Sequence, residues 1–207
     1  MSLAKRFFSQ TRKPEGFLGK IMLGTMNSGH AKLADWGVSH LPDAAPNSVV
    51  DLGCGGGRNA GELLKRYPKA HVTAVDYSEL SVEKARAYNK AMISAGRCEV
   101  LQGDVSDLKL PAEAFDLATA FETIYFWPGL ERCFAQVQKV LRPGGYFMIC
   151  NESDGTDPTS LKFEKIIDGM KNYTAEEIEA ALRAVGFSEV RSDHHPSKPW
   201  ITVLARK

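Results

Sequence analysis

Asp51-Leu52-Gly53-Cys54-Gly55-Gly56-Gly57-Arg58-Asn59 is the stretch on which the fold turns. Val49 and Val50 precede it, so a short apolar run ends in a carboxylate and a glycine cluster then leads into a helical pattern. Glycine lets the backbone take positive φ and lets a ligand come close to the peptide plane. The start of the following helix favours anions, which is why such loops often cradle phosphates. Asp51 changes that reading. A carboxylate at the strand end is poorly placed for a pyrophosphate and well placed for an ammonium group, directly or through water. The glycines alone do not choose between nucleotide cofactors. Gly53-x-Gly55 fails the dinucleotide pattern because position 58 is Arg, whereas Gly55-x-Gly57-x-x-Ala60 satisfies a tolerated variant. Asp51, two residues before Gly53, favours D-x-G-x-G-x-G.

Outward from this loop, short apolar strands alternate with amphipathic helices, the pattern of a mostly parallel, doubly wound α/β sheet. A helix is expected from about Arg58 to Arg66, and a second strand over His71–Asp76. Ser78 can cap a helix whose Val82, Ala85, Tyr88 and Met92 share a face, with Gly96 as its end. Glu99–Leu101 and Phe115–Phe121 read as the third and fourth strands. Phe134, Val137 and Leu141 mark one helix stripe, stopped by Pro143-Gly144-Gly145, and Tyr146–Cys150 reads as the fifth strand. Thr174-Ala175-Glu176-Glu177 is a capping box that opens a helix carrying Ile178, Leu182 and Val185, closed by Gly186. Two last strands, near Phe187–Ser192 and Trp200–Ala205, have only a turn between them and should pair antiparallel.

The first 45 residues differ in kind. Phe17, Ile21, Met22, Met26, Leu33, Trp36 and Val38 suggest one or two helices beside the sheet, broken at Gly24 and Gly29. The expected organisation is one domain over 1–207, with a helical extension over 1–45 and the sheet over 46–207. Its 207 residues are 43% hydrophobic and 25% charged, with a net charge of +1. That balance gives no bulk electrostatic reason for a nucleic-acid or membrane partner. No apolar run is long enough to span a bilayer, and the start lacks the apolar stretch of a secretory signal. Cys54, Cys98, Cys133 and Cys150 form no close pairs, which favours free buried thiols and a cytoplasmic setting over a zinc cluster or disulfides. His194-His195 is discounted as a metal pair because neighbours on a strand point to opposite faces. No metal is expected.

Two further strands also end in carboxylates, Asp76 and Asp104. Asp76 can accept from ribose hydroxyls or simply cap the next helix; Asp104 can accept from an adenine amino group while Val105 offers a backbone N–H. Together with Leu141-Arg142-Pro143-Gly144-Gly145, these motifs resemble those of the class I S-adenosylmethionine-dependent methyltransferases over roughly residues 46–150. The resemblance implies a seven-stranded sheet in the order 3-2-1-4-5-7-6 with strand 7 antiparallel. It implies S-adenosylmethionine as cofactor and S-adenosylhomocysteine as product. Asp51, Gly53, Cys54, Gly55, Asp76, Tyr77, Asp104, Val105 and Phe121 would then surround the cofactor, and the N-terminal extension would close over it.

Methyl transfer from a sulfonium needs mainly positioning and exclusion of water, with an acid–base group only where the acceptor must lose a proton. The candidates are Glu122, Tyr125 and His30. Glu122 follows the fourth strand; its alternative is a solvated loop acid. Tyr125, Phe126 and Trp127 could wall an acceptor pocket or pack into the core. His30 could orient an acceptor or sit on the surface. The loop departs from the N/D-P-P-Y/F motif of amino-directed DNA, RNA and protein enzymes, which favours a small-molecule acceptor. The alternatives are a non-catalytic protein that binds S-adenosylmethionine and regulates, and an NAD-dependent oxidoreductase.

Overall fold

Strands buried on both faces read as continuous apolar runs, and β1 (Ser48–Leu52) shows why: Val50 and Leu52 serve one face of the sheet and Val49 the other, all fully buried. The computed structural model describes residues 31–207. In chain order the elements are α1 (Ala31–Ser39), β1, α2 (Arg58–Arg66), β2 (His71–Asp76), α3 (Glu79–Tyr88), α4 (Lys90–Ser94), β3 (Cys98–Gln102), β4 (Phe115–Phe121), α5 (Leu130–Val140), β5 (Leu141–Asn151), α6 (Pro158–Ile166), α7 (Ala175–Ala184), β6 (Ser188–His194) and β7 (Ile201–Arg206). The sheet has seven strands in the order β3-β2-β1-β4-β5-β7-β6. β1 pairs parallel with β2 and β4, β2 with β3, and β4 with β5; β7 runs antiparallel to both β5 and β6. This is the expected architecture, including the final hairpin.

The core forms two layers. Phe147 and Ile149 of β5 face α5 and α7, where Phe134, Val137, Ile178 and Leu182 are fully buried. Met148 and Cys150, alternating with them, face the layer made by α1, α2 and α3. Each such leucine or phenylalanine contributes about 1.5–3 kcal/mol by leaving water, so the pattern of β5 alone fixes which helix lies on which side. The strand order reverses between β1 and β4. The C-terminal ends of the strands at such a reversal are where open α/β sheets bind ligands.

Three expectations are corrected in detail. The helix after β2 does not run unbroken to Gly96: it stops at Asn89 and restarts as α4, because the buried Asn89 amide donates to Gly57 O at 2.9 Å and Ala85 O at 3.1 Å. Leu141 belongs to β5 rather than to the preceding helix, and the following residues shift the register between β4 and β5. There Arg142 Nη1 donates to Asp116 Oδ1 at 2.6 Å and Ser48 Oγ at 2.7 Å, which tethers the segment to the start of β1. Finally, α6 fills a stretch for which the sequence suggested no element. The capping box at Thr174 is present in full, with Glu177 reaching back to the Thr174 N–H.

Of the N-terminal extension, α1 is a helix as expected, with Leu33 buried and Gly37 so close to Cys150 that an added Cβ would meet its Sγ. Phe17, Ile21, Met22, Gly24, Met26, Gly29 and His30 lie outside the described residues. Among the described residues, no helix is long and apolar enough to cross a membrane, and no group of three His, Cys, Asp or Glu side chains could hold a metal ion.

Candidate cofactor and acceptor site

The loop after β1 lies on β2: the N–H groups of Gly53 and Cys54 both donate to Val75 O, at 2.8 and 3.0 Å. Gly53, Gly55 and Gly57 all have positive φ, of 73°, 53° and 82°. At Gly53 a Cβ would collide with the Thr123 side chain, and at Gly57 it would press on Asn89 and on the Ala85 backbone. The glycines are therefore demanded by close packing as well as by backbone conformation.

Asp76 fastens this loop. Its Oδ2 accepts the Gly55 N–H and its Oδ1 the Ser78 N–H, each at 2.9 Å. Burial raises its carboxyl above the ordinary value, and those two amides work against the rise. Ser78 in turn caps α3. The helix-cap alternative and the ligand reading thus coexist, since each carboxylate oxygen can accept more than one hydrogen bond.

Asp51 is buried at 1% exposure. Its Oδ1 accepts the Thr119 hydroxyl at 2.8 Å across the β1–β4 pair, while Oδ2 has no hydrogen-bond partner among the described residues. Burial pushes this carboxyl up to about 7, with the Thr119 bond opposing and the Asp76 charge adding. An orphaned buried carboxylate oxygen is costly. A cationic ligand group at the switch point would supply the missing partner, so the donor set fits the ammonium end of S-adenosylmethionine.

Around these sit the remaining cofactor candidates. Tyr77 is 39% exposed, and its carbonyl accepts from Gln102 Nε2. Asp104 is exposed and accepts the Ser106 N–H at 2.8 Å, capping a short 3-10 turn in which Val105 is buried. Cys54 is buried, and burial with the charges of Asp76 and Asp51 drives its thiol well above the ordinary value. Cys150 is pushed up likewise, which leaves both as inert thiols rather than nucleophiles. Phe121 is buried beneath α1, near Gly37.

The candidate acid–base residues lie at the ends of β4 and β5. Glu122 has φ of 58°, one of three non-glycine residues with positive φ among the described residues; a left-handed glutamate carries strain. Its Oε1 accepts both the Tyr125 hydroxyl, at 3.1 Å, and the Glu152 N–H. Burial, helped by the Glu152 charge, pushes the Glu122 carboxyl up to about 8. Tyr125 is buried, and its oxygen also accepts the Ser153 N–H at 3.2 Å. The aromatic run divides. Trp127 belongs to the core, stacked on Phe147 with ring centroids 6.3 Å apart and its indole N–H on Thr123. His195 accepts the Ser197 N–H and packs against Trp36 and Trp200.

Thr119, Thr123 and Asn89 were not singled out by sequence reasoning. Asn89 alone left a trace, as a poor helix former inside a helical stripe. In the sequence Arg58 breaks a glycine pattern and opens a helix, with no sign of a tertiary partner. It forms an ion pair with Asp35 at 2.7 Å, tying α1 to the glycine loop.

Residues 49–145 match the family model described as a methyltransferase domain. The sterol 24-C-methyltransferase of Debaryomyces hansenii is 30% identical over 171 residues, covering 76% of this chain and 45% of the relative. The chain spans less than half the length of the curated relatives it matches. Among solved structures, the methyltransferase-like chain of a Haloferax volcanii complex with a methyltransferase activator superposes with a TM-score of 0.81 at 19% identity, covering 89% of this chain and 93% of that one. Human N-acetylserotonin methyltransferase in complex with S-adenosylmethionine gives 0.74 at 17% identity, over 90% of this chain and 55% of that one. Strand order and superposition give the chain the fold of these methyltransferase structures, and the methyltransferase-domain model reaches from β1 to the start of β5.

Proposed function

We propose that this protein moves the methyl group of S-adenosylmethionine to a small-molecule acceptor held beside Glu122. The observation that carries the reading is Asp51, whose buried Oδ2 has no hydrogen-bond partner among the described residues and lies where the strand order reverses. In this reading Asp51 holds the ammonium group, and the backbone of Gly53, Cys54 and Gly55 lines the methionine portion. Asp76 receives the ribose hydroxyls, and Tyr77, Asp104 and Val105 border the adenine. Phe121 closes the site from the α1 side. When bound, the cofactor supplies an activated methyl group with a neutral sulfur leaving group.

Glu122 is the group of this chain suited to handle a proton. Its carboxyl, at about 8, is largely protonated at neutral pH in the empty site, and a cationic neighbour favours its ionised form. It can then accept the proton that an acceptor hydroxyl or amine gives up as the methyl group arrives. The sterol methyltransferase relatives support a small organic acceptor. No observation favours a non-catalytic role or a nicotinamide cofactor.

Calorimetric titration with S-adenosylmethionine, S-adenosylhomocysteine and NADH tests the reading, with Asp51→Asn alongside. Micromolar binding of the first two, none of NADH, and at least tenfold weaker S-adenosylmethionine binding by the variant are expected. Equal binding by Asp51→Asn would remove the ammonium site, and NADH binding would overturn the cofactor.

A further inference from the structure

Tyr125 sits in a 3-10 turn, Ile124–Phe126, just past β4. Two of its atoms hold two distant points of the chain. The phenol oxygen accepts the Ser153 N–H at 3.2 Å, and the backbone carbonyl accepts the Lys171 N–H at 2.9 Å. Ser153 and Lys171 bracket the connection from β5 to α7, of which α6 is the middle. No residue of α6 is fully buried, and its half-buried Phe163 makes a further contact, so an amphipathic face sunk in the core is not what holds the helix. Its ends are instead tied by hydrogen bonds. Ser153 Oγ donates to Asp157 Oδ2 at 2.7 Å, and Asp157 Oδ1 accepts the Ser160 N–H at 2.9 Å. At the far end, the buried Asn172 amide donates to Ser160 O at 2.9 Å. The connection is a strap whose two ends meet on one residue.

That residue also faces Glu122. A hydroxyl has a single proton. Because the Ser153 N–H already donates to the phenol oxygen, the phenol proton is committed to Glu122 Oε1. Burial and the Glu122 charge keep the phenol protonated by raising it well above its ordinary value. Tyr125 is thus poorly suited to exchange protons and well suited to aim a carboxylate. Glu152, whose N–H also donates to Glu122, stands at the start of the same strap.

We propose that Tyr125 is a positioning residue: its backbone carbonyl seats the Lys171 end of the strap over residues 153–171, and its phenol seats the Ser153 end while aligning the Glu122 carboxyl. The strap beside the acceptor and the proton-handling group are thereby set together. The inference rests on the proposed function only for the role of Glu122.

The test uses the full chain and needs no acceptor. Amide hydrogen exchange reads the strap, and carbon-13 NMR of the Glu122 carboxyl reads its titration. In Tyr125→Phe, exchange at the Ser153 end of the strap should rise several-fold, while the Lys171 N–H, still held by the backbone carbonyl of residue 125, and the sheet amides stay protected. The Glu122 inflection should move upward by roughly one unit, because the bond to the ionised form is lost. Asp157→Ala should raise exchange over α6 and leave the Glu122 inflection in place, separating a loosened strap from a misaligned carboxyl. An unchanged strap or an unchanged inflection in Tyr125→Phe would overturn the proposal. Should that variant not fold, the wild-type chain decides: titrating Glu122 must shift the Ser153 and Lys171 amides together, and a response at neither overturns it. Methyl transfer that ignores Glu122 would defeat the proposed function while leaving both readouts standing.

Discussion

The two halves of the candidate site hold a carboxyl each, Asp51 at about 7 and Glu122 at about 8, and they hold them differently. Asp51 leaves the end of a regular strand, uses one oxygen on Thr119, and keeps the other without a partner. Glu122 sits in a left-handed backbone conformation, with one oxygen accepting from both Tyr125 and Glu152. The first keeps one oxygen without a donor among the described residues. The second is aimed by the protein's own donors. The cofactor side is accordingly built from glycines and strand ends, and the acceptor side from contacts between a turn and a strap.

The largest effect should come from crowding the cofactor loop. Gly53→Ala puts a side chain at φ 73° and into the Thr123 side chain. Strain and overpacking together should cost roughly 2–5 kcal/mol, and S-adenosylmethionine binding should fall beyond detection. Gly129→Ala, on the acceptor side, also has positive φ, at 87°, yet its Cβ would meet nothing within 4 Å. It should cost about 1–3 kcal/mol, the backbone strain of φ 87° and ψ 120° without any overpacking. Thermal unfolding and calorimetry on the pair would show whether the loop is special; equal losses would break the contrast.

This asymmetry also governs what could be read from the sequence. Glycines with an acid before them, and acids at the ends of β2 and β3, announce themselves by residue type and spacing. So do the alternating strands and the capping box at Thr174. The break at Asn89 is set by a carbonyl 32 residues away, which no local periodicity contains. α6 offered no stripe to read because none of its residues is fully buried. Trp127 and Tyr125 are near neighbours in sequence and aromatic alike. One packs on Phe147 and the other hydrogen-bonds to Glu122, and only tertiary contacts divide them.

A second, smaller effect concerns pH. Both carboxyls ionise at higher pH in the folded chain than in the unfolded one, so the folded state binds more protons between the two values. Stability should therefore decline as pH rises from 3.8 to about 7 through Asp51, and from 4.5 to about 8 through Glu122. A ligand ammonium that needs ionised Asp51 reverses the sign for binding. S-adenosylmethionine should bind about tenfold more tightly at pH 7 than at pH 5.5, below the range where its own amino group titrates. The gain should vanish in Asp51→Asn and persist in Glu122→Gln. If the gain disappears in Glu122→Gln instead, the acceptor-side carboxyl governs the cofactor and the division between the halves fails.

The smallest effect sharpens the boundary of the cofactor side. Asn89 is 4% exposed and reaches across from α3 to hold Gly57 O, the carbonyl at the left-handed start of α2. Asn89→Ala removes that donor while the Gly61 N–H still serves the carbonyl, at about 0.5–1.5 kcal/mol of stability. It touches none of the residues assigned to the cofactor. Binding of S-adenosylmethionine should weaken by about threefold through loosening of the loop, with the Glu122 titration unmoved. Asn89→Asp should not rescue it, because a carboxylate cannot donate to Gly57 O. Unchanged affinity in Asn89→Ala would mean that the glycine loop is held by Asp76 and Val75 alone, and that the helix break at Asn89 serves packing rather than the site.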